Sequence, residues 1–122
     1  MQKTRTFKDL IVWQKAHQFV LDIYKTTKIF PKEEMYALTS QTRRAATSIA
    51  ANITEGYKKK TKASKLNYLN ISEGSFEEVK YYLILAKDLG YIDELDYSQL
   101  FSKAEEVGRL LNGYSEAIVQ NL

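Results

Sequence analysis

Apolar residues recur at three- and four-residue steps along most of the chain, with polar residues filling the positions between them. In the first segment Leu10, Trp13, Ala16, Val20, Ile23 and Tyr24 keep this register, which places them on one face of a helix. The pattern predicts a helix from about Asp9 to Ile29, with a side-chain oxygen of Thr6 or Asp9 as its cap. Phe30-Pro31 closes it, because the residue before proline is driven out of helical geometry. Pro31 also suits the first turn of a second helix, where its missing N–H is no loss. Glu33 and Glu34 then stand at the positive end of the helix dipole. That helix is expected to run to about Glu55, with Leu38, Ala45, Ile49 and Ile53 facing the core and Gly56 as its stop.

Tyr57 to Ala63 reads as a connection, and Ser64 as the cap of a third helix. This helix carries Leu69, Phe76, Val79, Leu83 and Ala86 to Leu89, and Gly90 follows where a left-handed cap belongs. Gly74 costs about 1 kcal/mol relative to alanine in mid-helix and marks an expected close helix contact. Asp96 and Gln99, at capping-box spacing, open a fourth helix with Leu100, Ala104, Val107, Leu111, Tyr114 and Ile118 on one face. Nothing sustains the period-two alternation of a strand. Four amphipathic helices with short connections predict an all-α fold, an antiparallel up-down-up-down four-helix bundle. The 122 residues suit a single domain spanning 1–122.

On a wheel at about 100° per residue, helix two separates into three faces. Leu38, Thr42, Ala45, Ile49, Ile53 and Gly56 form the core side, and Arg43, Thr47, Ala50 and Thr54 lie broadly opposite. Gln41, Arg44, Ser48, Asn52 and Glu55 make a polar stripe between them. Exposed to solvent, such a stripe needs no particular residues. Buried at a subunit contact, every group needs a partner, and Arg44 would find one in Glu55 of a neighbouring copy. The small residues from Ala45 to Ala51 keep the helix thin around nearly its whole circumference, which favours the second reading: a polar seam in an oligomer.

The net charge of +3 is unevenly spread. Residues 1–65 hold 14 Lys/Arg against 5 Asp/Glu, a balance of +9; residues 66–122 hold 4 against 10, a balance of −6. Either the first half meets an anionic partner or the halves neutralise each other, within the fold or between subunits. Lys58, Lys59, Lys60, Lys62 and Lys65 cluster between Tyr57 and Tyr68. Lysines of this kind attract phosphates without base specificity, and tyrosines stack on unpaired bases. Arg43, Arg44, Lys3, Arg5 and Lys8 add to a nucleic-acid surface only if the fold gathers them.

Candidate chemistry is sparse. The chain has no cysteine, so disulfides and thiolate metal sites are excluded. His17 is the one histidine, and Gln14 stands where a Glu-x-x-His di-iron motif needs its acid. There is no glycine-rich phosphate loop and no G-x-S-x-G elbow. Glu73, Glu77 and Glu78 suit a solvated face or pairs with lysines better than acid–base work. No apolar run reaches the roughly 20 residues of a bilayer span, and the first 16 residues lack the apolar core of a secretory signal. The expectation is a cytoplasmic protein without metal, cofactor or membrane partner.

Three stretches, FKDLIVWQKA, IFPKEEMYALTSQTRRAATSIAANITEGYKKKTK and NYLNISEGSFEEVKYYLILAKDLGYI, carry a resemblance over most of the chain. The chain resembles the bacterial four-helix-bundle proteins called the 23S rRNA intervening-sequence, or S23, family. The most specific element is Q-x-R-R-A-x-x-S-I-x-x-N-I-x-E-G, occupied by Gln41, Arg43, Arg44, Ser48, Asn52, Glu55 and Gly56; E-G-S-x-x-E, with Gly74, Ser75 and Glu78, supports it. The one departure is Ser72-Glu73, where alanine-like residues are common in the family. The resemblance implies a short antiparallel bundle assembled as a homopentamer, and no established activity or catalytic residue. Some members are encoded in inserts within 23S rRNA genes. A related accessory protein of diversity-generating retroelements is a basic pentameric bundle that works with a reverse transcriptase and binds nucleic acid.

Together these readings lead to an expectation of a non-enzymatic homo-oligomer that binds RNA or another nucleic acid through Arg43, Lys58, Lys59, Lys60, Lys62 and Lys65. The alternative is a protein-binding scaffold or accessory subunit without nucleic-acid binding.

Overall fold

A computed structural model describes residues 4–121. Among these residues the chain forms four α-helices and no strand: α1 Ile11–Thr27, α2 Leu38–Tyr57, α3 Lys62–Asp88 and α4 Glu94–Gln120. Short 3-10 turns, Phe7–Asp9 and Lys32–Glu34, precede α1 and α2. Each helix packs on two others, α1 and α3 both against α2 and α4, so the four stand at the corners of a square. The contacts run in opposite senses along every adjacent pair. Between α2 and α3, Ser48 meets Ser75 and Ile49 meets Ser72; between α1 and α4, Lys15 meets Glu106 and Asp22 meets Lys103. The bundle is therefore antiparallel, as the short connections require.

The core follows the helical register. Ala16, Ile23, Ile49, Ile53, Leu69, Val79, Leu83, Ala104, Val107 and Leu111 are almost or wholly sealed from solvent. Each large aliphatic among them stabilises the fold by roughly 1.5–3 kcal/mol relative to an exposed position. Phe19 belongs to this core, although the sequence register did not select it, and Tyr24 is exposed. Helix α2 is covered on a second side as well. Ala46 and Ala50 are buried in addition to its expected core face, so Ala50 is not on an outward face.

Several helix ends differ from expectation, each for a local reason. Thr6 and Asp9 do form a capping box, but around the 3-10 turn; Leu10 is extended and separates that turn from α1. The Asp9 carboxylate accepts from the Arg5 and Thr6 amides, and these bonds hold its pKa below the usual carboxylate value. Pro31 opens only the Lys32–Glu34 turn, and α2 begins at Leu38. Glu34 still serves the start of α2 from outside: its carboxylate accepts from the Leu38 amide at 3.2 Å and from the Tyr91 hydroxyl at 2.7 Å. Thr61, not Ser64, caps α3, and its oxygen takes the Ser64 amide. Asp93, not Asp96, caps α4.

The glycines divide by function. Gly90 adopts φ +79° and closes α3, as the sequence predicts. Gly56 does not stop α2; it is buried within the helix, where a Cβ would stand 3.2 Å from the Tyr68 Cβ. Nothing lies within 4 Å of a Cβ built at Gly74, so the expected close contact is not made inside the chain. The tight approach is at Gly108, where an added Cβ would fall 2.5 Å from the ring of Phe76.

Candidate functional site

Two surfaces carry the residues that the sequence singles out. The first is one end of the bundle, where the start of the chain, the α2–α3 connection and the end of α4 meet. The Tyr57 hydroxyl hydrogen-bonds with Thr4 Oγ1 at 3.0 Å, which brings the segment with Arg5 and Lys8 beside the lysines. Lys3 lies outside the described residues.

Three of the five lysines are used by the fold. Lys65 Nζ donates to the Tyr57 carbonyl at 2.7 Å and lies over the Tyr57 ring. Lys62 Nζ donates to the Val119 carbonyl at 3.1 Å. Each ammonium thus satisfies a terminal carbonyl at the negative end of a helix dipole. Lys59 stands over the Tyr68 ring, 5.1 Å from its centre. Lys58 and Lys60 are exposed, and their side chains bond to no other described residue, as is also true of Arg5 and Lys8. The opposite end of the bundle is acidic in balance, with Glu33, Glu34, Asp88, Asp93, Glu94 and Asp96 against Lys28, Lys32 and Lys87.

Arg43 is not part of the basic end. It lies 15 residues before Lys58 on the α2 line, about 22 Å away at the helical rise. Its Nε donates to Thr27 Oγ1 at 2.8 Å, a second nitrogen reaches the Tyr24 carbonyl at 3.4 Å, and the guanidinium covers the Tyr24 ring. Arg43 thereby closes the last turn of α1. An arginine one turn from an exposed face gave no sequence signal for this role, because the partners lie 16 and 19 residues away.

The second surface is the polar stripe of α2. Ser48 and Asn52 are half-buried against α3: Ser75 Oγ donates to Ser48 Oγ at 2.8 Å, and the Asn52 amide donates to the Ser48 carbonyl and hydroxyl. The seam therefore includes Ser75, and beneath it Ser72, whose hydroxyl donates to the Ile49 carbonyl at 2.9 Å in a fully buried site. Serines of α3 spaced to face α2 were the available signal. Gln41 and Arg44 remain exposed and, with Ala45, Ser48, Ser75 and Glu78, line a shallow recess of about 330 Å³. Glu78 accepts from the Tyr82 hydroxyl at 2.8 Å, a bond that raises the Tyr82 pKa. Glu55 is exposed at the far end of the stripe, and Arg44 and Glu55 make no ion pair within the chain among the described residues.

The charge split between halves is not cancelled inside the bundle. Of the cations in residues 1–65, Lys15 alone reaches an acid of the second half among the described residues, at 3.8 Å. His17 is exposed and stacks on Trp13. Among the described residues no group of three or more acids and histidines is placed to hold a metal ion, and no helix is long and apolar enough to cross a membrane.

Fold and surfaces together define a small all-α protein: an antiparallel four-helix bundle with a lysine-bearing end and a serine-lined α2–α3 contact. The chain belongs to the family of 23S rRNA-intervening sequence proteins, whose profile matches residues 8–113. Among solved structures it is similar to a protein of unknown function from the S23 ribosomal protein family of Bacteroides thetaiotaomicron. The two chains are 29% identical and superpose with a TM-score of 0.82, over 89% of this chain and 98% of the other. No curated protein matches the sequence.

Proposed function

We propose that this protein is a non-enzymatic homopentamer of the cytoplasm that binds RNA or another nucleic acid through its basic end. The observation that carries the reading is the gathering of Arg5, Lys8, Lys58 and Lys60 at one end of the bundle, exposed and unpaired among the described residues, beside the half-buried Tyr57 and Tyr68. Cations in that state keep their full attraction for phosphate. Lys59, Lys62 and Lys65 shape the surface, and Arg43 leaves the binding set for a structural role. The assembly part rests on the α2–α3 face. Arg44 and Glu55 face solvent there, and Ile71 and Tyr81 expose apolar surface along α3 on either side of Gly74. A neighbouring copy would cover this surface and supply the missing partners.

The same apolar stripe favours one second reading, a scaffold that binds a different protein without nucleic acid. The mass of the native particle by light scattering, taken with binding to structured rRNA fragments at low and high salt, separates the two. Five-fold mass and salt-sensitive RNA binding support the proposal. A monomer at micromolar concentration, or RNA binding that ignores salt, removes it. Arg44→Ala is expected to lower the particle mass while leaving the helical content intact.

A further inference from the structure

We infer that the end of the bundle opposite the lysine cluster is a docking surface for a cationic amphipathic helix of another protein. This use goes beyond nucleic-acid binding and does not depend on it. All four helices meet here: α1 and α3 finish at this end, and α2 and α4 begin at it. Phe30, Leu38 and Ile92 are buried and seal the core. Outside that seal every helix end carries an exposed large apolar side chain: Ile29 just past α1, Met35 and Tyr36 just before α2, Leu89 at the close of α3 and Leu95 in the first turn of α4. Tyr36 is 96% exposed, Leu95 66% and Ile29 62%, so these three contribute little to the core.

A single exposed apolar residue is ordinary, whereas a group of them rimmed by polar residues marks an interaction surface. The rim here is acidic in balance. Glu33, Glu34, Asp88, Asp93, Glu94 and Asp96 stand against Lys28, Lys32 and Lys87, and Lys87 is held over the Tyr97 ring. Glu33, Asp88 and Glu94 are exposed and form no ion pair among the described residues. A ring built around an axis parallel to the helices would cover the flanks of each bundle and leave this end open. Such an assembly therefore does not account for the apolar side chains gathered on it.

Shape and charge select the occupant. Axes of packed neighbouring helices lie about 8–10 Å apart. The four ends therefore frame an area about as wide as one α-helix, whose diameter is about 10–12 Å. A helix with apolar residues at i, i+3, i+4 and i+7 can lay that face across the exposed side chains. Lysines or arginines on its flanks would then meet the free carboxylates, the kind of charge complementarity that selects partners. A second copy offering its own basic end suits the surface less well. Contact between unlike ends of identical copies does not close, and it runs on into a filament.

The test uses the intact protein and a labelled peptide of leucine and lysine, about 18 residues and so about 27 Å long as a helix, with its leucines on one face. Binding is read by fluorescence anisotropy. One control peptide has the same composition in scrambled order, and another has glutamate in place of lysine. The amphipathic lysine peptide is expected to bind about tenfold more tightly than either control. Tyr36→Ala combined with Leu95→Ala is expected to weaken it about tenfold, as for loss of anchoring side chains. Glu33→Gln combined with Asp88→Asn is expected to reduce its salt dependence. Leu21→Ala, on the flank of α1, should leave binding unchanged. All these side chains are exposed, so circular dichroism of each variant should match wild type. Absence of binding, equal binding of the scrambled peptide, or binding that survives the Tyr36 and Leu95 substitutions overturns the docking surface. Particle mass that grows with protein concentration, and stops growing in the same double variant, would place a second copy at this end and overturn the partner assignment. RNA affinity of that variant should equal wild type, so failure here and failure of the nucleic-acid reading are separate results.

Discussion

The division of labour among the lysines gives a quantitative prediction. Four cations at the basic end, Arg5, Lys8, Lys58 and Lys60, have exposed side chains with no partner among the described residues, whereas Lys62 and Lys65 hold the terminal carbonyls of α4 and α2. If each of the four neutralises one phosphate of a single strand, the slope of log affinity against log salt is about −2.8 per bundle. Affinity then falls about 50-fold between roughly 50 and 200 mM salt. Replacing Lys58 and Lys60 with glutamine halves the number of contacts, so the slope becomes about −1.4 and the same change in salt costs about sevenfold. Lys62→Gln behaves differently. It keeps most of the slope and lowers unfolding stability by about 0.5–1 kcal/mol, the worth of a cation at a helix C-terminus. Anisotropy titrations of a labelled single-stranded RNA at four or five salt concentrations, with urea unfolding of each variant, measure both quantities. An unchanged slope in the double variant, or an equal flattening by Lys62→Gln, would refute the assignment of lysines to binding and to structure.

Two further predictions concern the fold. Gly108 and Gly113 lie on the same helix, but an added Cβ meets the Phe76 ring at 2.5 Å at the first and open space at the second. Gly113→Ala should therefore stabilise by about 1 kcal/mol through helix propensity, and Gly108→Ala should lose about 1 kcal/mol net, as overpacking outweighs the same gain. Thermal unfolding, at about 4 °C per kcal/mol for this length, reads the difference, and equal melting temperatures would contradict the tight α3–α4 contact. Arg43→Ala should destabilise by about 2 kcal/mol, from lost charged hydrogen bonds and the Tyr24 contact, and leave RNA affinity unchanged; weakened RNA binding by a folded variant would return Arg43 to the binding surface.

The helical register made the bundle legible because burial repeats every three or four residues, and Ala16, Ile23, Ile49, Ile53, Leu83 and Leu111 stand where that period puts them. Helix ends were less legible. They depend on one side-chain oxygen each, and Thr61 and Asp93 competed with equally suitable neighbours at Ser64 and Asp96. Gly56 shows how one residue type supports two explanations: a glycine at a helix end suits a left-handed stop, but here its missing Cβ admits Tyr68. The polar stripe of α2 was visible from spacing. Its partners Ser72 and Ser75 come from another helix, and no pattern within α2 points to them. Arg43 reads as a free cation in sequence because charge is local, whereas the Thr27 hydroxyl and Tyr24 carbonyl it serves are brought near only by the α1–α2 hairpin.

One end of the bundle is basic in balance and the other acidic, which gives each bundle an electrical direction along its length. Rotation about a symmetry axis parallel to the helices preserves that direction. In a closed ring of such copies every basic end would lie on one rim and every acidic end on the other. A strand held by one bundle would then meet the next lysine pair without leaving the rim, so that short contacts add up around the circle. The opposite rim would repel the same strand, and two rings would attract each other only basic rim to acidic rim. A strand occupying the basic rim would block that stacking, so that in such a ring nucleic-acid binding and end-to-end association would exclude each other.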